Sequence, residues 1–177
     1  MQFCKGCKVM VILGIDPGYA IVGCGVVEYS GNRFKTLDYR AVTTPAKTDL
    51  SKRLEMVYDG IVSLIETFKP DAMSIEKLYF NTNTTTAIAV AEARGCILLA
   101  AQKSGIPVFE YTPLQIKQSV TGYGKAEKRQ VIEMTRMLLG LQKAPSPDDV
   151  ADALAAAICH AHVHGSVMNL IDKGRYK

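Results

Sequence analysis

Four acidic residues stand where a carboxylate is costly unless something positive meets it. Asp16 ends the apolar run Val9-Met10-Val11-Ile12-Leu13-Gly14-Ile15 and is followed at once by Pro17-Gly18. Glu76 ends a second run, Ala72-Met73-Ser74-Ile75. Asp149 and Asp152 lie three residues apart at the head of an alanine-rich segment, a spacing that puts both on one face of a helix. An all-oxygen donor set suits Mg²⁺ or Mn²⁺ better than zinc. Carboxylates without a committed histidine point to phosphoryl chemistry through two metal ions. One ion would activate a water and the other would stabilise the leaving oxygen.

Each acid also has a plainer reading. Asp16 could serve only to form the Asp-Pro-Gly turn, and Glu76 could pair with a basic neighbour such as Lys77. Asp148 and Asp149 are ordinary in the first turn of a helix, where the macrodipole favours negative charge. Asp152 is harder to dismiss. It sits inside Val150-Ala151-Asp152-Ala153-Leu154-Ala155-Ala156-Ala157-Ile158, and no Lys or Arg occurs between Lys143 and Lys173. Its partner must come from elsewhere in the chain, or be a metal.

The elements that would position these acids can be read from periodicity and punctuation. Strands are expected over Val9–Asp16, Ile21–Tyr29 and Phe34–Val42, the last two joined by a Gly31-Asn32 turn. Two short turns in succession imply an antiparallel meander. Thr48 or Asp49 can cap a helix to Phe68, whose apolar residues Leu50, Leu54, Val57, Ile61, Leu64, Ile65 and Phe68 step by three and four. Lys69-Pro70-Asp71 stops it. A short strand Ala72–Glu76 follows, then a helix Thr85–Lys103, apolar enough to be buried, and a strand Ile106–Tyr111. Helical pieces close the chain at Pro113–Val120, Glu127–Leu139 and Asp148–His162, the last capped by Ser146 with Pro147 at its first position. This order is an α/β fold with a mixed five-stranded sheet flanked by helices.

Length and composition agree. The chain has 177 residues, 48% hydrophobic and 21% charged, with a net charge of +4. That is one domain with a real core, expected over 10–165. Residues 1–9 are expected to be a disordered extension or a mis-called start, because Met10 opens a cleaner one. Residues 166–177 are read as a basic tail. No apolar stretch approaches the ~20 residues of a membrane span, and the N-terminus lacks the layout of a secretory signal, so a cytoplasmic location is expected. Five cysteines, an odd number, fit reduced thiols better than a disulfide framework. Cys4-x-x-Cys7 finds no second pair to complete a zinc site. His160, His162 and His164 are read as surface residues.

Lys117, Lys125, Lys128, Arg129 and Arg136 bring positive charge to one stretch, opposed there only by Glu127 and Glu133. With glycines at 122 and 124, the Lys117–Lys128 part reads as a flexible loop that could lay amines along phosphates. Tyr79 and Phe80 follow Glu76 into a polar segment, where one could stack on an unpaired base.

Several segments, in order, resemble one known family. They are Gly14-Ile15-Asp16-Pro17-Gly18, Val22-Gly23-Cys24-Gly25-Val26, Ser74-Ile75-Glu76-Lys77-Leu78-Tyr79-Phe80, Ala93-Arg94-Gly95 and Val108-Phe109-Glu110-Tyr111. Ile116-Lys117-Gln118, Gly122-Tyr123-Gly124-Lys125-Ala126-Glu127-Lys128 and Asp148-Asp149-Val150-Ala151-Asp152-Ala153-Leu154-Ala155 continue the likeness. Together they resemble the RuvC family of bacterial Holliday-junction endonucleases over about Val9 to Val163. The resemblance implies a ribonuclease H-like fold, a homodimer, and Mg²⁺-dependent hydrolysis of four-way junction DNA. It also implies two ions per site (Mn²⁺ a substitute) and symmetric nicks with 5′-phosphate and 3′-hydroxyl ends, in recombination and repair. The family's catalytic, metal-holding acids map onto Asp16, Glu76, Asp149 and Asp152. Lys117 and Lys128 match its DNA-binding positions, with Phe80, Lys125 and Arg129 as further expected contacts, and Tyr79 matches its stacking position. A branch-migration complex of the RuvA and RuvB type is the implied partner. Two other readings remain open on the residues alone. One is a nucleotide-binding ATPase of the actin or sugar-kinase kind, which needs two such domains. The other is a non-catalytic junction-binding module.

Overall fold

The computed structural model describes residues 9–78 and 86–172, with side chains to 165. Expectations placed on residues 1–8, including Cys4 and Cys7, and on Tyr79 and Phe80 lie outside the described residues. The elements run β1 (Met10–Asp16), β2 (Ile21–Ser30), β3 (Arg33–Thr43), α1 (Leu50–Phe68), β4 (Ala72–Glu76), α2 (Ala87–Lys103), β5 (Val108–Tyr111), α3 (Pro113–Thr121), α4 (Lys128–Leu138) and α5 (Asp148–Asp172).

β1 is apolar on both faces because it is the middle strand. The sheet order is β3-β2-β1-β4-β5. β2 pairs with β1 antiparallel, as does β3 with β2, while β4 runs parallel to β1 and β5 parallel to β4. Gly31 and Asn32 adopt φ of 54° and 62°, the left-handed values that a two-residue hairpin of type I′ needs. Lys69 ends α1 in the same region, at φ 47°. Asp71 then ties the entry of β4 to β1: its carboxylate accepts from Val11 N at 2.7 Å and its own N–H donates to Val11 O at 2.8 Å.

The strand period of two sends alternate residues to opposite faces. Leu13, Ile15, Val22, Cys24, Val26, Met73 and Ile75 pack with Val57, Ile61 and Ile97 from α1 and α2. Ile12, Val27 and Tyr29 pack on the other side with Leu154 and Ile158 of α5 and with Ile116 and Val131 of α3 and α4. Leu154 and Ile158 are wholly buried, and each contributes about 1.5–3 kcal/mol by removal from water. The chain is therefore helices on both faces of one sheet, as expected. Cys24 and Cys159 are buried free thiols, pushed up to about 12 and about 11 by burial, which keeps them in the protonated form.

Three expectations are corrected. α2 is not buried all round: Ala93, Ile97, Ala100 and Ala101 are inside, but Ile88 and Leu99 are 72% and 52% exposed. Its inner face covers α1, and its outer face is open in the single chain. α5 does not stop at His162 but runs to Asp172, ten residues further, through the start of the expected tail. The histidines consequently sit mid-helix rather than on a surface end. His160 is buried, its Nδ1 2.8 Å from the Tyr111 hydroxyl and its ring 4.3 Å from that of Phe109. His162 and His164 are half-buried, and His162 Nδ1 lies 3.0 Å from Ser119 Oγ.

Burial, and then the neighbouring His164, hold His160 down to about 4 from the ordinary 6.5. A depressed histidine contributes stability that is complete above pH 6.5 and lost as pH falls through 4. Thermal melts from pH 7 to pH 4 should therefore drop more steeply for the wild type than for His160→Phe, whose ring keeps the packing without titrating. Parallel pH profiles would remove His160 as a source of acid lability.

Candidate active site

The topology brings two carboxylates to one edge of the sheet. β1 and β4 are parallel neighbours with Ile15 opposite Ile75, so Asp16 and Glu76 are the next residues on adjacent strands at the same end. Strand neighbours are about 4.8 Å apart. On the other side of β1, Asp16 is paired with Gly23 of β2.

That glycine admits the other two acids. A Cβ at Gly23 would stand 1.9 Å from the backbone oxygen of Asp149, so the first turn of α5 lies directly against the sheet beside Asp16. The seat continues down the helix. A Cβ at Gly14 would meet Ala153 O at 2.0 Å and Ala157 Cβ at 2.9 Å, and one at Gly25 would meet Leu154 Cδ2 at 2.6 Å. Gly14 and Gly25 are themselves a cross-strand pair. Ser74, opposite Gly14 on β4 and two residues before Glu76, donates its hydroxyl to Ala156 O at 2.6 Å. Gly14, Gly23, Gly25 and Ser74 were not singled out from the sequence as parts of the site. Their signal was present: small residues inside buried strands mark a close backbone approach. The loop after Asp16 is fixed too. Thr44 Oγ1 donates to Tyr19 O at 2.7 Å, and buried Arg53 donates to Thr44 Oγ1 at 2.7 Å while lying 4.3 Å over the Tyr19 ring.

The electrostatics are those of acids forced together. Burial, then Asp152, Glu76 and Asp149, push Asp16 up to about 7, with Lys128 pulling back. Burial, then Asp152, raise Glu76, while Lys117 and Lys128 pull it down. Lys128 supplies the partner that Asp152 lacks in its own segment, with Nζ 3.2 Å from Asp152 Oδ2 and 3.4 Å from Asp148 Oδ2. Burial lowers Lys128, but Asp152 and Asp148 outweigh it and its net shift is upward. Asp152 also shifts upward, against the usual direction for a bridged carboxylate, because burial exceeds what Lys128 provides. One ammonium does not neutralise this cluster. Among the described residues no three His, Cys, Asp or Glu side chains stand close enough together to hold a metal ion without moving.

The structure separates Asp149 from Asp148. Asp149 is half-buried and acts on Asp16, whereas the Asp148 side chain is 62% exposed and turned to Lys128. The basic residues separate as well. Lys117, half-buried on α3, and Lys128, the first residue of α4, both act on Glu76. Lys125 and Arg129 are exposed, Arg129 acts on Glu133, and Arg136 is bonded to Glu133 and Leu141 O. The expected flexible loop is corrected: Lys117 and Lys128 stand on helices joined by a short ordered turn. There Tyr123 N donates to Thr121 Oγ1 at 3.2 Å, Ala126 N donates to Tyr123 O at 3.2 Å, and Ala126 is buried.

Comparison with known proteins bears on this arrangement. The family described as Crossover junction endodeoxyribonuclease RuvC matches residues 12–160. The chain is 58% identical over 153 residues to the crossover junction endodeoxyribonuclease RuvC of Clostridioides difficile, covering 86% of this chain and 90% of that one. It is 58% identical over 155 residues to that of Ruminiclostridium cellulolyticum, covering 88% and 93%. Among solved structures, Thermus thermophilus RuvC in complex with Holliday junction substrate superposes with a TM-score of 0.83 at 36% identity, covering 88% of this chain and 94% of that one. The yeast mitochondrial Holliday junction resolvase Ydc2, at 14% identity and a TM-score of 0.67 over 89% and 80% of the chains, shares the fold.

Gly23→Ala should lift α5 off the strand that carries Asp16. An overpacked contact of this kind costs about 1–3 kcal/mol, or about 2–4 °C of melting temperature per kcal/mol at this chain length. An unchanged melting temperature would show that α5 can give way without cost.

Proposed function

The chain belongs to the RuvC family of crossover junction endodeoxyribonucleases, and from that premise we propose that Asp16, Glu76, Asp149 and Asp152 form its metal-dependent catalytic centre. It is a structure-selective endonuclease that resolves Holliday junctions in recombination and repair. The observation that carries the site assignment is the convergence of four acids from three elements onto one edge of the sheet, Glu76, Asp149 and Asp152 all acting on Asp16.

The donor set fits the group this chemistry needs. All four side chains offer hard oxygens, and a cluster too negative for one lysine to neutralise favours divalent cations. Asp16, Glu76, Asp149 and Asp152 would hold Mg²⁺, two ions per site, with Mn²⁺ as a substitute. Cations bound there supply an activated water and offset charge on the leaving oxygen. The chain's own residues do the placing. β1 and β4 fix Asp16 and Glu76 as a rigid pair, and the glycine seat fixes Asp149 and Asp152 against them. Lys117 and Lys128, reaching the same edge from α3 and α4, draw a phosphodiester to the acids. Exposed Lys125 and Arg129 extend that contact along the strand, and Tyr79 and Phe80, outside the described residues, are proposed DNA contacts by their place in the family's sequence pattern. Hydrolysis leaves a 5′-phosphate and a 3′-hydroxyl, ends that can be ligated.

A junction has near two-fold symmetry and presents two strands to cut, which a two-fold dimer matches with two sites. The open face of α2, with Ile88 and Leu99 exposed and open space where a Cβ on Gly95 would stand, supports pairing there. Work beside a branch-migration complex of the RuvA and RuvB type, in the cytoplasm, is part of the same reading. No helix among the described residues is long and apolar enough to cross a membrane.

Cleavage of a synthetic four-way junction in Mg²⁺ tests the centre. Asp152→Asn should lose more than about 100-fold in rate, beyond what residues outside the ligand set cost, while still binding the junction. Full activity in that variant would sink the assignment. Lys117→Ala should make the plot of log affinity against log salt shallower by about 0.9. An unaltered slope would remove Lys117 as a phosphate contact.

A further inference from the structure

Lys128 holds two carboxylates at once, and the two are not equivalent. Asp152, 3.2 Å away, has a side chain 27% exposed and faces Asp16 and Glu76. Asp148, 3.4 Å away, is 62% exposed and stands at the outer edge of the cluster. Local structure does nothing to hold the ammonium. Lys128 is the first residue of α4, where the macrodipole disfavours positive charge, and its own side chain is 55% exposed. A lysine stem has about 2 kcal/mol of rotamer entropy to regain by letting go.

We propose that Asp148 is a positioning residue that keeps Lys128 at the mouth of the site when Asp152 is engaged by a cation. The proposal rests on the metal-site reading of the four acids. A carboxylate oxygen committed to a divalent cation has less charge to offer an ammonium. Asp148, outside the ligand set, keeps all of its charge for Lys128. Lys128 Nζ already lies 3.4 Å from Asp148 Oδ2, so keeping that partner alone requires no displacement of α4. The ammonium then stays beside the acids with hydrogens free for the scissile phosphate. The plainer role for Asp148, a helix-start acid worth ~0.3–1 kcal/mol, would change stability alone.

Steady-state junction cleavage at saturating Mg²⁺ separates the two. Asp148→Asn should lower kcat about tenfold with KM and melting temperature nearly unchanged, and Asp148→Glu should restore most of it. Lys128→Met combined with Asp148→Asn should be no slower than Lys128→Met alone, because the two residues act as one unit. Fully additive losses, or a loss that follows melting temperature, would overturn the proposal. Mn²⁺ binding to the DNA-free protein, followed by electron paramagnetic resonance, gives an independent readout. Asp148→Asn should leave Mn²⁺ affinity within about threefold, whereas Asp149→Asn should weaken it more than about tenfold. Equal weakening would make Asp148 a ligand instead and overturn the positioning role. If neither Asp149→Asn nor Asp152→Asn weakens Mn²⁺ binding, the metal-site reading fails and this proposal with it.

Discussion

α5 meets the sheet backbone to backbone, and the site exists only at that distance. Gly14, Gly23 and Gly25 remove the side chains that would hold a helix at the ordinary spacing. The alanines of α5 do the same from the other side. At normal helix-to-sheet distance Asp149 and Asp152 would stand off from Asp16 and Glu76, and no pairing of strands could correct it. The closeness is held by burial, not by the ion pairs. Leu154 and Ile158 each contribute more than an exposed salt bridge, whose median worth is about 0–1 kcal/mol. The fold's apolar energy thus offsets the repulsion of four gathered acids.

The same tight seating explains why the positive charge at the site comes from other elements. Asp152 lies on a helix too tightly seated to carry a basic neighbour, so its counter-charge arrives across space from α4. Lys117 arrives from α3. Among the described residues, positive charge reaches the cluster from Lys117 and Lys128 at its rim, which leaves the interior of the site to carboxylate oxygens.

Much of this was legible in the sequence. An apolar run ending in an acid is a strand end, and two such runs mark Asp16 and Glu76 by pattern alone. The spacing of Asp149 and Asp152 gives their shared face. What was not legible depends on contacts between distant segments. His160 looked exposed because α5 seemed to end at His162; in fact the helix continues and Tyr111 of β5 covers the ring. α2 looked buried because it is apolar, yet composition does not say which face another element covers. The glycine seat was hidden for the same reason: a glycine in a strand signals closeness but does not name what comes close. Lys128 could be counted as a basic residue, but its reach to Asp152 follows from where α4 packs.

The position of α5 in the chain carries one more consequence. Ser74 and its acceptor Ala156 are 82 residues apart, and every strand is made before the helix that completes the centre. During synthesis, Asp16 and Glu76 emerge early and wait without Asp149 and Asp152. A chain cut short before α5 therefore lacks half of the proposed acid cluster, which is complete only once the last element of the chain has been made.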